Sequence, residues 1–170
     1  MFAGVGASRH VAEVAEHVAR QLSLHLESSP IGLVDGNVET QILTERFDGA
    51  QKSGLAEVLQ QRTTVASALF DIGIPGVRFL SFGDRRDARN PITSEAVETA
   101  LSDLSRLCRY TVVATGAAQH KLHAMLARHG DGTYVTVQLG AVNHQDTAEI
   151  TRYLNRAGAR LLGCIATGAI

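Results

Sequence analysis

Ile31-Gly32-Leu33-Val34-Asp35 is apolar up to its last residue and is closed in front by Pro30 and behind by Gly36 and Asn37. A run this short and apolar, bounded by chain-turning residues, predicts a strand buried on both faces and ending in an acid. The same reading extends outward along the chain. Val77–Phe82, the β-branched Tyr110–Thr115, Thr133–Leu139 and Arg160–Ile165 are further strand candidates. Helical spacing lies between them. Val11, Val14, Ala15, Val18, Leu22 and Leu26 form one face from Arg9 to Leu26, with Ser8 as the expected N-cap. Val97, Leu101, Leu104 and Leu107 do the same over Ser94–Cys108, and Gln119–His129 and Thr147–Ala157 are helical as well. Gly54–Leu59 and Val65–Phe70 read as short helices. Strands alternating with helices predict a three-layer α/β/α sandwich with a mostly parallel sheet.

Composition bounds the rest. The 170 residues, 45% apolar and 19% charged, suit one domain spanning 1–170. No apolar run approaches the ~18 residues of a membrane span, and the start lacks the basic head and long apolar stretch of a signal peptide. Net charge is −1, which predicts no nucleic-acid partner. Two cysteines, Cys108 and Cys164, make neither a disulfide framework nor a four-cysteine metal site, and both read as core thiols. Of the 16 basic residues only Lys52 and Lys121 are lysines.

In open α/β sheets ligands bind beyond the carboxyl ends of the strands, so those ends hold the candidate site. Gly4 and Gly6, followed by Ser8 and Arg9 at a helix start, read either as an anion site or as a tight turn. The third glycine of a dinucleotide fingerprint is replaced by Arg9. Asp35, with Asn37 beside it, reads as a metal ligand or general base, or as a residue binding nearby backbone. His120 and His123 lie three apart without a third ligand in view. Arg85, Arg86 and Arg89, in the irregular stretch after Gly83, read as a solvated loop or as a surface for an acidic partner.

Taken in order, these stretches resemble the cytoplasmic tyrosine autokinases of bacterial capsule and exopolysaccharide synthesis, within the MinD/ParA-type deviant P-loop ATPases. Leu33-Val34-Asp35-Gly36-Asn37 is similar to the family's Asp-x-Asp after an apolar strand. Ser53-Gly54-Leu55-Ala56-Glu57-Val58-Leu59 is similar to its Gly-Leu-Ser-Asp-Val-Leu turn. Gly76–Gly83 with Asn90-Pro91 and Ser94-Glu95 resembles its strand, Asn-Pro loop and helix. Tyr110–Gly116 stands where the family has the strand ending in Asp-Thr-Pro. Asp131–Val137 and Ala157–Gly163 resemble its last two strand approaches. The resemblance implies a Rossmann-like sandwich with P-loop NTPase topology and ATP with Mg²⁺ as ligands.

The departures sit at the chemistry. A P-loop needs a Lys and a Ser/Thr for phosphate and Mg²⁺. Here Ser8 or Arg9 stands near the Lys position. Ala114 replaces the strand-end Asp, Asn37 replaces the second acid of the pair, and no adenine-contacting Asn is evident in Ala166-Thr167-Gly168. Tyr110, Tyr134 and Tyr153 fall inside predicted elements rather than in a tyrosine-rich tail, and only Met1–Ala3 precede the glycine turn, leaving a stub of a first strand. The reading is a degenerate P-loop with no catalytic residue, no resident cofactor and no metal. The resemblance then implies a cytoplasmic, pseudokinase-like accessory or regulatory protein of polysaccharide synthesis and export. Its partner would be a chain-length regulator, a kinase-like homologue or a second copy, with the membrane met only through that partner. Two enzymatic alternatives stand beside it. One is a weak ATPase or tyrosine kinase using Arg9 as cation and Asp35 for Mg²⁺. The other is a dinucleotide- or S-adenosylmethionine-binding enzyme in which Asp35 meets a ribose.

Overall fold

The structure is a computed structural model and describes residues 1–5, 8–26, 29–84, 91–117, 120–140 and 144–168, with backbone only at 5, 8, 117 and 144. Strands β1 (Phe2–Val5), β2 (Ile31–Asp35), β3 (Phe70–Asp71), β4 (Val77–Leu80), β5 (Tyr110–Ala117), β6 (Thr133–Gln138) and β7 (Leu161–Thr167) form one sheet. Its order is β3-β4-β2-β5-β1-β6-β7, with every pairing parallel except β3 with β4. Helices α1 (Ser8–His25), α2 (Ile42–Arg46), α3 (Leu55–Leu59), α4 (Val65–Ala68), α5 (Ser94–Leu107), α6 (Lys121–His129) and α7 (His144–Arg156) cover it.

Alternation along the central strands separates the layers. Leu33, Phe79 and Val112 join Val11, Ala15 and Ala19 of α1 on one face. Val34, Leu80 and Val113 join Leu55, Leu104, Leu122 and Leu126 on the other. Ala3 and Val135 pack with Ile150 and Leu154 of α7. All five residues of β2 are buried, as its unbroken apolar run requires.

Several sequence expectations are corrected. The first strand is no stub, since β1 lies between β5 and β6 and pairs with both. Ser8 is the first residue of α1 rather than the residue before it. Phe70 leaves the expected helix for β3, where its ring meets that of Phe79 edge-on at 5.5 Å. Cys164 is exposed on β7, while Cys108 is buried and burial pushes its thiol pKa up. Helix α2 carried no sequence expectation, because five residues are too few for periodicity to register.

Candidate functional site

The carboxyl ends of β1, β2, β4 and β5 lie side by side, so the fold brings Gly4, Asp35, Ser81 and Gly116 to one edge of the sheet. Asp35 is 1% exposed. Its Oδ1 accepts the Asn37 amide at 3.0 Å, and its Oδ2 accepts the Thr44 amide at 2.8 Å and the Thr44 hydroxyl at 2.9 Å. Thr44 Oγ1 in turn accepts the Phe82 amide at 2.8 Å. The carboxylate therefore joins the end of β2, helix α2 and the residues after β4. Burial raises the Asp35 pKa above the usual carboxylate range, against the opposing pull of the Thr44, Asn37 and Leu43 hydrogen bonds.

Asn37 is turned inward too. Its Oδ1 accepts the amides of Glu39 at 3.0 Å and Thr40 at 3.2 Å, and its Nδ2 donates to Thr40 Oγ1 at 2.6 Å. This is a turn closed by its own side chain. The same side chain lies over Gly116, where a Cβ would come within 2.7 Å of Asn37 Oδ1. Ala114 is buried opposite Asp35 in the strand register and belongs to the core facing α1. Strand β5 runs on past it to Ala117, and Thr115 Oγ1 donates to the Phe2 carbonyl at 3.1 Å.

Gly4 is buried beneath α1, and a Cβ there would fall 2.4 Å from Val11 Cγ2. Its missing side chain is required by helix–strand packing. Arg9, 73% exposed at its side chain, lies 3.5 Å from Glu13 one turn along α1. Only two positions, 6 and 7, separate the end of β1 from the start of α1. Gly6, the Ser8 side chain, and Arg85, Arg86 and Arg89 lie outside the described residues.

Two residues that sequence reasoning missed complete this edge. Thr44 had no signal, because its role arises from a contact nine positions from Asp35. Glu57 had one, since Gly54-x-x-Glu57 has capping-box spacing. Glu57 Oε2 accepts the Gly54 amide at 2.8 Å and Oε1 accepts the Asp84 amide at 3.0 Å, so it ties α3 to the segment leaving β4. His120 caps α6 by accepting the Leu122 amide on Nδ1 at 3.2 Å, and its ring packs 5.3 Å from that of the buried His123. No group of three or more metal-ligating side chains occurs among the described residues. A cavity of about 570 Å³ opens at the opposite, amino ends of the strands, between Met1, Ser105, Arg109, Tyr110, His129 and Asp131.

Among the described residues, the Asp35 carboxylate has both oxygens hydrogen-bonded within the protein, and the Asn37 side chain fills the space above Gly116. The arrangement can brace a turn, and it holds three segments together.

No family model matches the chain, and no curated protein matches it. Solved structures are similar in fold. The kinase domain of the Escherichia coli tyrosine kinase ETK superposes with a TM-score of 0.82 at 16% identity, over 99% of this chain and 67% of that one. The kinase domain of VpsO gives 0.82 at 18% identity, over 100% and 84%. Cobyrinic acid a,c-diamide synthase from Mycobacterium smegmatis, solved with an ATP analogue and magnesium, gives 0.80 at 14% identity, over 97% and 73%. The chain therefore has the P-loop NTPase-like sandwich that the ordered series of motifs implied.

Proposed function

We propose that this chain is a non-catalytic accessory or regulatory protein of bacterial exopolysaccharide or capsular polysaccharide synthesis and export. Similarity of fold to bacterial tyrosine kinase domains supports that setting. One observation carries the loss of chemistry: the Asp35 carboxylate is spent on the Asn37 and Thr44 backbone and the Thr44 hydroxyl. Phosphoryl transfer depends on charges aimed at the phosphates and the metal, and a site without them loses roughly 10²–10³ in rate for each such contact. The protein instead works by binding, in the cytoplasm, to a polysaccharide chain-length regulator or to a kinase-like homologue. No helix among the described residues is long and apolar enough to cross a membrane. On this reading the chain meets the bilayer only through that partner.

The experiment is phosphate release and autophosphorylation with Mg²⁺-ATP, wild type beside Arg9→Ala. The reading expects neither protein to exceed a no-protein control. Turnover by the wild type that Arg9→Ala abolishes would establish the noncanonical ATPase or kinase in its place.

A further inference from the structure

The chain carries its charge unevenly. All 17 of its acidic residues lie outside two stretches, 120–130 and 150–170, which hold Lys121, Arg128, Arg152, Arg156 and Arg160. The fold brings the four arginines together. Strands β6 and β7 are neighbours, and α6 and α7 lead into them, so both helices end near the amino ends of those strands. The Arg128 side chain reaches the turn between α7 and β7, where a Cβ on Gly158 would lie 3.7 Å from Arg128 Cγ. Arg156 stands two residues before that glycine and Arg160 two residues after it, and Arg152 is one turn back along α7.

All four residues are exposed. Among the described residues none of them is paired with a carboxylate, whereas Arg9, Arg20, Arg46, Arg62, Arg78 and Arg106 each are. Asp131 and Glu149, the acids next to the cluster in sequence, make no ion pair with it. The helix dipole accounts for a cation in the last turn of α6 and of α7, where Arg128 and Arg156 stand. It gives no reason for Arg160, beyond the helix, or for Arg152, a turn earlier.

We propose that this cluster is the docking surface for a carboxylate-rich segment of a protein partner. The inference rests on the reading above, that the chain works by binding, and names the chemistry of what it binds. Charge complementarity carries it. A guanidinium presents a planar fork that takes a carboxylate through two parallel hydrogen bonds, which a lysine does not offer, and every cation of the cluster is an arginine. A bilayer fits less well, because Ile150 and Leu154 of α7 are buried against the sheet and leave that helix no apolar face to enter it. Nucleic acid fits less well too, because a net charge of −1 gives the whole chain no long-range attraction to an extended polyanion.

Fluorescence anisotropy of a labelled oligoglutamate peptide with the purified full chain, beside an oligoglutamine peptide of the same length, tests it. Saturable binding of the acidic peptide alone is expected, weakening as salt is raised. Arg152→Gln with Arg156→Gln should weaken it about tenfold, or about 1.4 kcal/mol. Arg20→Gln with Arg106→Gln makes the same change in net charge on α1 and α5 and should leave binding intact. Circular dichroism of both double variants should remain that of the folded wild type. No binding of the acidic peptide, or an equal loss in both double variants, overturns the proposal. Binding of phosphatidylserine vesicles or of a DNA duplex without binding of the peptide overturns it in favour of lipid or nucleic acid. Turnover of Mg²⁺-ATP would remove the accessory role and leave the peptide result as it stands, so the two failures are told apart.

Discussion

Asp35 and Thr44 form a two-point contact in which one carboxylate oxygen accepts both the amide and the hydroxyl of Thr44, at 2.8 and 2.9 Å. Thr44 passes the constraint on to the Phe82 amide. Asp35 is thereby a brace between β2, α2 and the residues after β4.

Removing that brace should destabilise the fold. Asp35→Ala leaves the buried Thr44 and Asn37 amides without an acceptor, at a cost of about 2–4 kcal/mol. Thr44→Val deprives the Phe82 amide of its acceptor and Asp35 of a donor, and should cost about 1–3 kcal/mol. Urea unfolding measures both. A midpoint unchanged in both variants would show that the brace carries no stability.

The pH dependence of this contact has a definite sign. Burial raises the Asp35 pKa in the folded protein, so the native state binds the proton more tightly than the unfolded chain does. Its contribution is fully present below the unfolded aspartate value of about 3.9 and is lost as pH rises through the folded value. Asp35→Asn, which keeps the shape and cannot ionise, should therefore gain on the wild type as pH rises across that window. Urea midpoints for the two proteins at a series of pH values provide the check, and an Asp35→Asn midpoint that falls relative to the wild type as pH rises would contradict the raised value.

Gly4 tests whether the glycine turn serves packing. Gly4→Ala places a methyl group 2.4 Å from Val11 Cγ2, and Val11 is 1% exposed. Overpacking of this kind costs about 1–3 kcal/mol. Val11→Ala in the same chain should recover part of the loss, and a double-mutant cycle on thermal unfolding reads the coupling. Strict additivity would mean that the two residues do not meet.

Glu57 should hold the exit from β4. Glu57→Ala removes the acceptor of the Gly54 and Asp84 amides. The account expects a loss of about 1–2 kcal/mol. It also expects faster hydrogen exchange at the Asp84 amide than in the wild type. Unaltered exchange there would show that Glu57 does not order this segment.

The layers of this fold are legible in the sequence because burial is periodic. Ile31–Asp35 reads as a buried central strand, and Leu33 and Val34 do go to opposite cores. The edges are less legible. Cys164 reads as a core thiol because its neighbours are apolar, yet β7 has only one flanking strand and leaves it exposed. Phe70 continues an apolar run out of α4, and only the β4 strand beside it decides that it is extended. The candidate residues are legible as types and not as roles. Asp35 and Asn37 stand where the motif puts them, and the bond from the Asn37 amide to Asp35 is the nearby-backbone reading of that acid, but Thr44 for the acid and Gly116 beneath the amide come from tertiary contacts that no spacing announces. Local pattern records which face a residue takes, and the direction of a polar side chain at a strand end depends on what the rest of the chain folds against it.

The most direct test of the central claim is isothermal titration calorimetry of ATP and ADP, with and without Mg²⁺, into the purified chain. The account predicts no saturable heat at any nucleotide concentration up to the millimolar range, with or without the metal. Saturable binding that requires Mg²⁺ would contradict it.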